Sequence, residues 1–305
     1  KSIPAKKYGI QTGETLVSAL SKCPRLIIVR PNYLLFQRCS QALREILEQY
    51  SPLIQQFSID EYFLDYTATL NILGDPLKTA HRLRQQIKDE LGFTVNIGIS
   101  TNKLLAKMAS EFEKPDKVHT LFPEEIKDKM WPLPVNKLFM VGPATTKKLL
   151  SRRIKTIGDL ANYDPALLRS FLKSHGLLIW NYANGRENSP LRTDHRDFMK
   201  GLGNSATFPC DLKDRQSAHL VLLSLAETVS ARLRRERLCT SLVGVSLRTN
   251  EFYSCSHQRK FPDAFASTQM IWKISCELFD ELWEGQPIRH LGIRVSELST
   301  DEFIQ

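Results

Sequence analysis

The hydrophobic pattern of this 305-residue chain changes twice along its length, and these changes restrict its fold more than any other feature of the sequence. Up to residue 122, helical patterns alternate with short strand patterns, which is typical of a sheet covered by helices. Residues 123–185 have the pattern of short helices joined by proline and glycine. Residues 200–305 predict the order β-α-β-β-α-β, the split βαβ arrangement. We therefore expect an α+β protein with several domains.

Within the first region, the periodicity predicts individual elements. Apolar residues recur at helical spacing over 35–50 and again over 77–91. Residues 93–99 alternate between apolar and polar side chains, which predicts a strand, and a helix follows it as far as residue 112. A polar stretch without a hydrophobic period at 186–199 indicates a boundary before the last region.

Composition and charge narrow the class of protein. The formal net charge of +9 and a pI near 9.2 favour polyanionic partners. Residues 200–305 carry 13 basic and 13 acidic side chains, whereas residues 1–199 carry 29 and 20, so the excess charge lies before the boundary. Six widely spaced cysteines without a CxxC pair argue against a disulfide framework and favour a reducing compartment. The apolar stretches are too short to span a membrane.

An acidic pair lies between two apolar runs. Asp60 and Glu61 follow one run and precede Tyr62-Phe63-Leu64. Burying carboxylates between strands is costly unless a cation pairs with them, and Mg²⁺ prefers such oxygen ligands. A polar hairpin turn in which both side chains are solvated is the other interpretation, and the local pattern by itself favours that turn, because turns favour Asp.

The motifs around this pair resemble those of Y-family (translesion) DNA polymerases, and most closely the bacterial UmuC/DinB-like branch, the ImpB/MucB/SamB family. The resemblance covers nearly the whole chain, with several motifs in order at compatible spacing. The matching segments are Ala5–Gly9 with Thr12-Gly13 (fingers), Ser58–Glu61 (palm signature), Val95–Lys103 with Lys114-Pro115 (second palm signature), Leu138–Leu149 (helix-hairpin-helix thumb), Gly201–Ser205 and Ile288–Val295 (little finger).

This resemblance implies a multidomain right-hand polymerase fold. Its palm would hold an antiparallel sheet with helices, its thumb a helix-hairpin-helix, and its little finger the β-α-β-β-α-β unit. The implied domains are 1–32 for partial fingers, 33–122 for a palm without its N-terminal part, 123–186 for the thumb, 187–199 for a linker and 200–305 for the little finger.

The implied activity is transfer of dNTPs onto a primer 3′-hydroxyl on template DNA, past lesions, in DNA repair and SOS-type damage tolerance. Two Mg²⁺ ions would support it. By residue match, Asp60 and Glu61 would be the catalytic metal ligands, and Lys6 and Lys114 would contact the triphosphate. Lys6 stands where the family has an arginine, so the bidentate fork is lost. An exposed lysine at a helix end is the other interpretation of Lys114.

The resemblance also implies contacts with primer–template DNA. Gly142 would permit the tight turn of the hairpin, after which free N–H groups of the next helix face a phosphate. Lys147 and Lys148 would add charge that does not depend on base sequence. An ordinary helix-loop-helix turn remains the alternative. In the little finger, Arg248 and Arg294 on strands are stronger candidates than the arginines that end the preceding helix, where a solvated helix terminus explains the charge.

The family's first metal-binding aspartate lies on an opening strand ahead of the fingers segment, and Lys1 onwards offers no counterpart. We therefore expect these 305 residues to bind primer–template DNA without incorporating dNTPs on their own, and an upstream segment with that aspartate to restore extension. The alternative function is a non-catalytic, DNA-binding accessory subunit. We expect a bacterial cytoplasmic, nucleoid-associated protein, whose contact with a sliding clamp would need a C-terminal peptide beyond Gln305.

Overall fold

The computed structural model describes residues 1–192 and 199–300. The chain forms two compact units, residues 1–193 and 194–305. Part of the predicted linker, residues 193–198, lies outside the described residues. Among the described residues, no helix is both long and apolar enough to cross a membrane.

The first unit begins with short helices and very short strands. Its helices up to residue 122 are α1 (Ile3–Lys7), α2 (Leu16–Lys22), α3 (Tyr33–Glu48), α4 (Leu70–Leu73), α5 (Pro76–Leu91) and α6 (Lys103–Ser110), with a 3₁₀ turn at Thr67–Thr69. The strands are β1 (Ile54–Gln56), β2 (Tyr62–Leu64), β3 (Ile97–Ile99) and β4 (Val118–Thr120). The helices predicted over 35–50 and 77–91 are therefore confirmed as α3 and α5.

The strands form two separate pairs. β1 and β2 are antiparallel, with Ile54 opposite Leu64, and form the hairpin that carries the acidic pair. β3 and β4 are parallel, with Ile97 opposite Val118, where the palm sheet was expected to be antiparallel. The reason is the crossover: α6 connects β3 to β4 and returns the chain so that both strands run in the same direction. The strand predicted over 93–99 is shorter than expected, because β4 pairs only with residues 97–99.

The second half of this unit is helical, as the proline- and glycine-joined pattern predicts. Its elements are 3₁₀ helices at Pro123–Glu125 and Val135–Lys137, a π-helix at Ile126–Met130, and the helices α7 (Pro143–Leu150), α8 (Ile157–Ala161), α9 (Pro165–Leu172) and α10 (Ser174–Ala183). They share one core with α6, in which Leu105, Leu149 and Ile179 are fully buried. A smaller core lies between α3 and α5, around Leu47 and Ile87.

The second unit is a four-stranded antiparallel sheet covered on one face by two helices. Its elements are β5 (Gly201–Leu212), α11 (Arg215–Arg235), β6 (Leu238–Thr249), β7 (Ser254–Phe265), α12 (Thr268–Leu282) and β8 (Ile288–Thr300). The strand order is β5-β8-β6-β7, so β8 lies inside the sheet beside both β5 and β6. The predicted β-α-β-β-α-β order is confirmed, and with it the α+β fold class.

Candidate functional site

The acidic pair lies in the tight loop between β1 and β2. The N–H groups of Phe57 and Ser58 both donate to the carbonyl oxygen of Glu61, at 2.8 and 3.2 Å, and close the loop. The Ser58 hydroxyl donates to Oδ1 of Asp60 at 2.7 Å. Asp60 is exposed and Glu61 is half-buried. The loop therefore presents two carboxylates on a short rigid turn rather than burying them among apolar side chains.

These carboxylates line an open cleft of about 1710 Å³ in the first unit. Lys6, at the end of α1, and Lys114, after α6, line the same cleft. Both lysines are exposed at the cleft. The structure thus brings together all four residues that the sequence predicts for metal and triphosphate binding.

Two further charged residues connect the acidic loop to Lys114. Lys107 of α6 donates a hydrogen bond to Oε1 of Glu61 and a second, at 3.1 Å, to Oε1 of Glu111. Lys114 donates to the same Glu111 oxygen at 2.6 Å. The four side chains therefore form a continuous series of alternating charge along one wall of the cleft, Glu61–Lys107–Glu111–Lys114, which we call the charge series.

The charge series shifts the ionisation of its inner members. Burial alone would lower the pKa of Lys107, but hydrogen bonds to Glu61 and Glu111 outweigh it and raise that pKa. Burial acts to raise the pKa of Glu111, but the hydrogen bonds from Lys114 and Lys107 outweigh it and lower that pKa. Both inner residues are therefore held in their charged forms at neutral pH.

Helix α6, which carries Lys107, packs closely against β3. A Cβ atom on Gly98 of β3 would lie 1.9 Å from the carbonyl oxygen of Ala106, so only glycine allows the helix to approach this closely. The Asn102 side chain caps α6 by accepting from the N–H of Leu105 at 2.8 Å. Its amide also donates to the carbonyl oxygen of Gly185 at 2.9 Å, which fastens the end of the helical region to the start of α6.

Lys107 and Glu111 were not among the residues predicted from the sequence. Their spacing carried a usable signal, because Lys107, Glu111 and Lys114 recur at intervals of four and three on a predicted helix and its exit. The contact of Lys107 with Glu61 joins residues 46 positions apart. Helical spacing alone could not reveal that contact.

The predicted helix-hairpin-helix lies elsewhere in the first unit, at the N-terminus of α7. Gly142 is the N-cap residue, and its backbone is extended, with φ −83° and ψ 175°. The left-handed residue of the turn is Met140, with φ 69°, so the explanation that Gly142 permits the tight turn is wrong. A Cβ on Gly142 would meet no atom within 4 Å, so the surface over the helix start is open. Lys147 and Lys148 are exposed on the same helix.

The predicted arginines of the second unit share the sheet face that the helices leave uncovered. Arg248 and Arg294 are exposed, whereas their neighbours Leu247 and Val295 are buried under the helices. Arg294 lies opposite Gly244, four residues along β6 from Arg248, so both side chains are on one face. The Nε of Arg248 donates to Oγ of Ser254 at 2.9 Å, which holds the guanidinium against the sheet.

A row of small residues separates the two arginines on this face. Ser205, Gly292, Ser246 and Ser256 lie side by side across the four strands. A Cβ on Gly292 would be 2.9 Å from Cβ of Ser205 and 3.1 Å from Oγ of Ser246. The face is therefore low in the middle and basic on either side, which suits a backbone of phosphates more than a small ligand.

Comparison with known proteins identifies the family. The profile of the impB/mucB/samB family matches residues 1–111, and that of the impB/mucB/samB family C-terminal domain matches residues 199–305. DNA polymerase IV of Clostridium acetobutylicum is 45% identical over 306 residues, covering 100% of this chain and 76% of that protein. The chain belongs to the impB/mucB/samB family, the UmuC/DinB-like branch of the Y-family DNA polymerases.

Other relatives and solved structures agree with this family. DNA polymerase IV of Acetivibrio thermocellus is 37% identical over 98% of this chain and 75% of its own length. A Y-family DNA polymerase chimera of Dbh and Dpo4 has a TM-score of 0.85 at 21% identity, covering 97% of this chain and 86% of its own. An insertion ternary complex of Dbh DNA polymerase has a TM-score of 0.66 at 20% identity, covering 97% and 85%. These structures share the fold.

Y-family polymerases are nucleotidyltransferases that generally use divalent metal ions. The donor set of the acidic loop fits such an ion, because Asp60 and Glu61 offer carboxylate oxygens and open onto a cleft with room for phosphates. Among the described residues, no group of three or more His, Cys, Asp or Glu side chains is placed to hold a metal. If an ion binds there, the acidic pair would therefore supply part of its coordination shell.

Proposed function

We propose that this chain carries out the metal-, nucleotide- and DNA-binding steps of a translesion DNA polymerase, which transfers dNTPs onto a primer 3′-hydroxyl. The observation that supports it most is the cleft, where Asp60 and Glu61 face the same space as Lys6 and Lys114. Carboxylates and lysines on one cleft suit a triphosphate that arrives with a divalent cation. The family and its DNA polymerase IV relatives support the same activity.

In this proposal, Asp60 and Glu61 hold Mg²⁺. When bound there, the ion supplies charge stabilisation to the triphosphate and the primer oxygen. Lys114 and Lys6 attract the triphosphate oxygens and orient the nucleotide along the cleft. Lys6 does so as a point charge, because an ammonium group cannot make the paired hydrogen bonds of a guanidinium.

The remaining predicted residues would grip primer–template DNA. The open start of α7 at Gly142, with Lys147 and Lys148 on the same helix, would bind one stretch of the DNA phosphate backbone. Arg248 and Arg294 would bind another stretch. These contacts are independent of base sequence, which a polymerase that moves along its template requires. We assign 1–32 to the fingers, 33–122 to the palm, 123–186 to the thumb, 187–199 to a linker and 200–305 to the little finger.

The biological setting follows from this activity. We propose that the protein acts on damaged chromosomal DNA in the bacterial cytoplasm, at the nucleoid, as part of an SOS-type response. A sliding clamp is a further partner in this proposal. The family membership and the acidic pair favour this enzyme over a non-catalytic accessory subunit, which would have no use for Asp60 and Glu61.

Replacing one carboxylate tests the proposal. In the protein expressed from its complete coding sequence, Asp60→Asn should lower Mg²⁺-dependent primer extension by at least about 100-fold, because loss of a charged metal ligand removes transition-state stabilisation of about 3 kcal/mol or more. Melting temperature and DNA affinity should remain close to those of the unaltered protein, since the amide is nearly isosteric.

Asp65→Asn is the matched control. Asp65 also lines the cleft, but its Oδ1 accepts the N–H of Thr67 at 2.9 Å, so its role is to hold the turn after β2. This variant should keep extension within a few-fold of the unaltered protein. Full extension by Asp60→Asn together with loss in Asp65→Asn would make Asp65 the ligand and contradict the assignment.

A further inference from the structure

The charge series has a feature that metal and triphosphate binding alone do not explain. Its two outer members, Glu61 and Lys114, are the groups proposed to meet the metal ion and the triphosphate. Its inner members are bound to these same groups: Lys107 to Glu61, and Glu111 to Lys114. The Lys107 side chain is only 15% exposed, so it is part of the wall of the cleft rather than a mobile surface lysine.

We propose that Lys107 and Glu111 are positioning residues that couple the metal carboxylate to the triphosphate lysine. This inference rests on the proposed function of Asp60, Glu61 and Lys114. Without nucleotide, each charge of the series is neutralised by its neighbour, and Lys114 is held by Glu111. A triphosphate competes with Glu111 for Lys114, and once it succeeds, Glu111 is left to Lys107 alone.

The second half of the coupling follows from the shared contacts of Lys107. Its ammonium group divides its hydrogen bonds between Glu61 and Glu111. When Glu111 loses Lys114, it attracts Lys107 more strongly, and the hold of Lys107 on Glu61 weakens. The carboxylate of Glu61 is then free to turn into the cleft, where it would be able to hold a divalent cation. The carboxylate of Glu61 thus becomes available when the nucleotide is bound. In the empty cleft, Glu61 and Glu111 both remain paired with lysines.

The packing of α6 fixes its backbone, so the coupling between Lys114 and Glu61 depends on side-chain movement. Leu104, Leu105 and Met108 on the other side of the helix are buried in the main core, and Gly98 fixes the distance of the helix from β3. The backbone at Lys107 therefore does not follow a change in Glu111. Only the side chains can respond, over the hydrogen-bond distances of the charge series.

The test measures binding of inorganic tripolyphosphate without divalent metal, in the protein expressed from its complete coding sequence. Glu111→Gln should tighten binding about twofold to fivefold, since it frees Lys114 from an exposed ion pair. Lys107→Met should weaken binding by a similar factor, because Glu111 then pairs with Lys114 alone. Lys107→Arg should stay within about 1.5-fold of the unaltered protein, because it keeps the charge.

Net charge is controlled in two ways. Glu113→Gln and Lys117→Met make the same charge changes at a neighbouring pair, 3.6 Å apart, that does not line the cleft, and each should alter binding less than about 1.5-fold. The double variant Lys107→Met with Glu111→Gln has the original net charge. It should nevertheless bind tripolyphosphate as tightly as Glu111→Gln alone, because Lys107 acts on Lys114 only through Glu111.

Primer extension supplies the second measurement. Glu111→Gln should lower KM for the dNTP and also lower kcat, because Glu61 remains held by Lys107. A purely structural role would raise KM, lower kcat and lower the melting temperature together, and would overturn the proposal. So would a return of the double variant to the original affinity, or equal effects of Glu111→Gln and Glu113→Gln. The outcome is separate from the polymerase assignment, which stands or fails with extension by Asp60→Asn.

Discussion

Residues 33–122, which we propose to be the palm and call the palm segment, and the second unit each combine strands with two long helices, but they hold their candidate functional side chains in different ways. In the second unit, strands of 12 or 13 residues pair over most of their length in one sheet, and side chains such as Val243, Leu291 and Val295 are completely buried. In the palm segment, four strands of three residues form two separate pairs. Tyr62, Leu64 and Ile97 are only half-buried beside the open cleft.

This difference in packing suits the two tasks that we propose, DNA contact by the second unit and nucleotide binding by the palm segment. The second unit presents Arg248 and Arg294 on a surface whose shape the hydrogen-bonded strands determine, so the proposed DNA contact would not require the backbone to rearrange. The palm segment holds Glu61 and Lys114 in ion pairs with Lys107 and Glu111 along one wall of the cleft. Ion pairs between partly exposed groups are weak and can exchange partners, which suits a site that must admit and release charged ligands.

The largest expected effect is a difference in stability between the second unit and the palm segment. Phe279→Ala should reduce the free energy of unfolding of the second unit by about 3–5 kcal/mol, because Phe279 of α12 is fully buried in the core of that unit. Ile97→Ala in the palm segment should cost only about 1 kcal/mol, because Ile97 is already partly exposed. Amide hydrogen exchange of β8 and of α5 would locate each loss. Equal losses would mean that the palm segment is packed as firmly as the sheet.

A smaller effect concerns DNA. Arg248→Ala and Arg294→Ala should each reduce the slope of log affinity against log salt concentration by about 0.9 for primer–template DNA, whatever its base sequence. Arg235→Ala removes the same charge at the exposed end of α11 and should leave the slope unchanged. Titrations at several salt concentrations measure this. A reduced slope only in Arg235→Ala would move the DNA contact from the sheet face to the helix ends.

The smallest effect is expected from acid. Hydrogen bonds from lysines or backbone N–H groups lower the pKa values of Glu111, Glu125 and Asp159 in the first unit. A depressed folded-state pKa contributes stability that is present above the unfolded value, near 4.5 or 3.8, and is lost as pH falls through the folded value. In the second unit, among the described residues, only Asp214 has a resolved lowering. Between pH 5 and pH 3 the first unit should therefore lose more exchange protection than the second.

Much of the fold follows from the sequence. The helical periods of α3 and α5 and the β-α-β-β-α-β order depend on local side-chain patterns, so a single sequence contains them. The candidate site residues were predicted through motifs, and the structure places Asp60, Glu61, Lys6 and Lys114 on one cleft. Strand length and direction were harder. The strand predicted over 93–99 is limited to residues 97–99, because β4 pairs only with those residues. The parallel pairing of β3 with β4 depends on where α6 returns the chain.

The sequence by itself determined the candidate residues of the acidic loop and the order of most helices and strands, because residue type and short-range period are local properties. Only the tertiary structure decided what those residues touch. Lys107 meets Glu61 because Gly98 lets α6 lie against β3, and Met140 rather than Gly142 takes the left-handed turn because the backbone of the hairpin closes there. Contacts between distant positions depend on how elements pack, and packing is a property of the whole unit rather than of any segment within it.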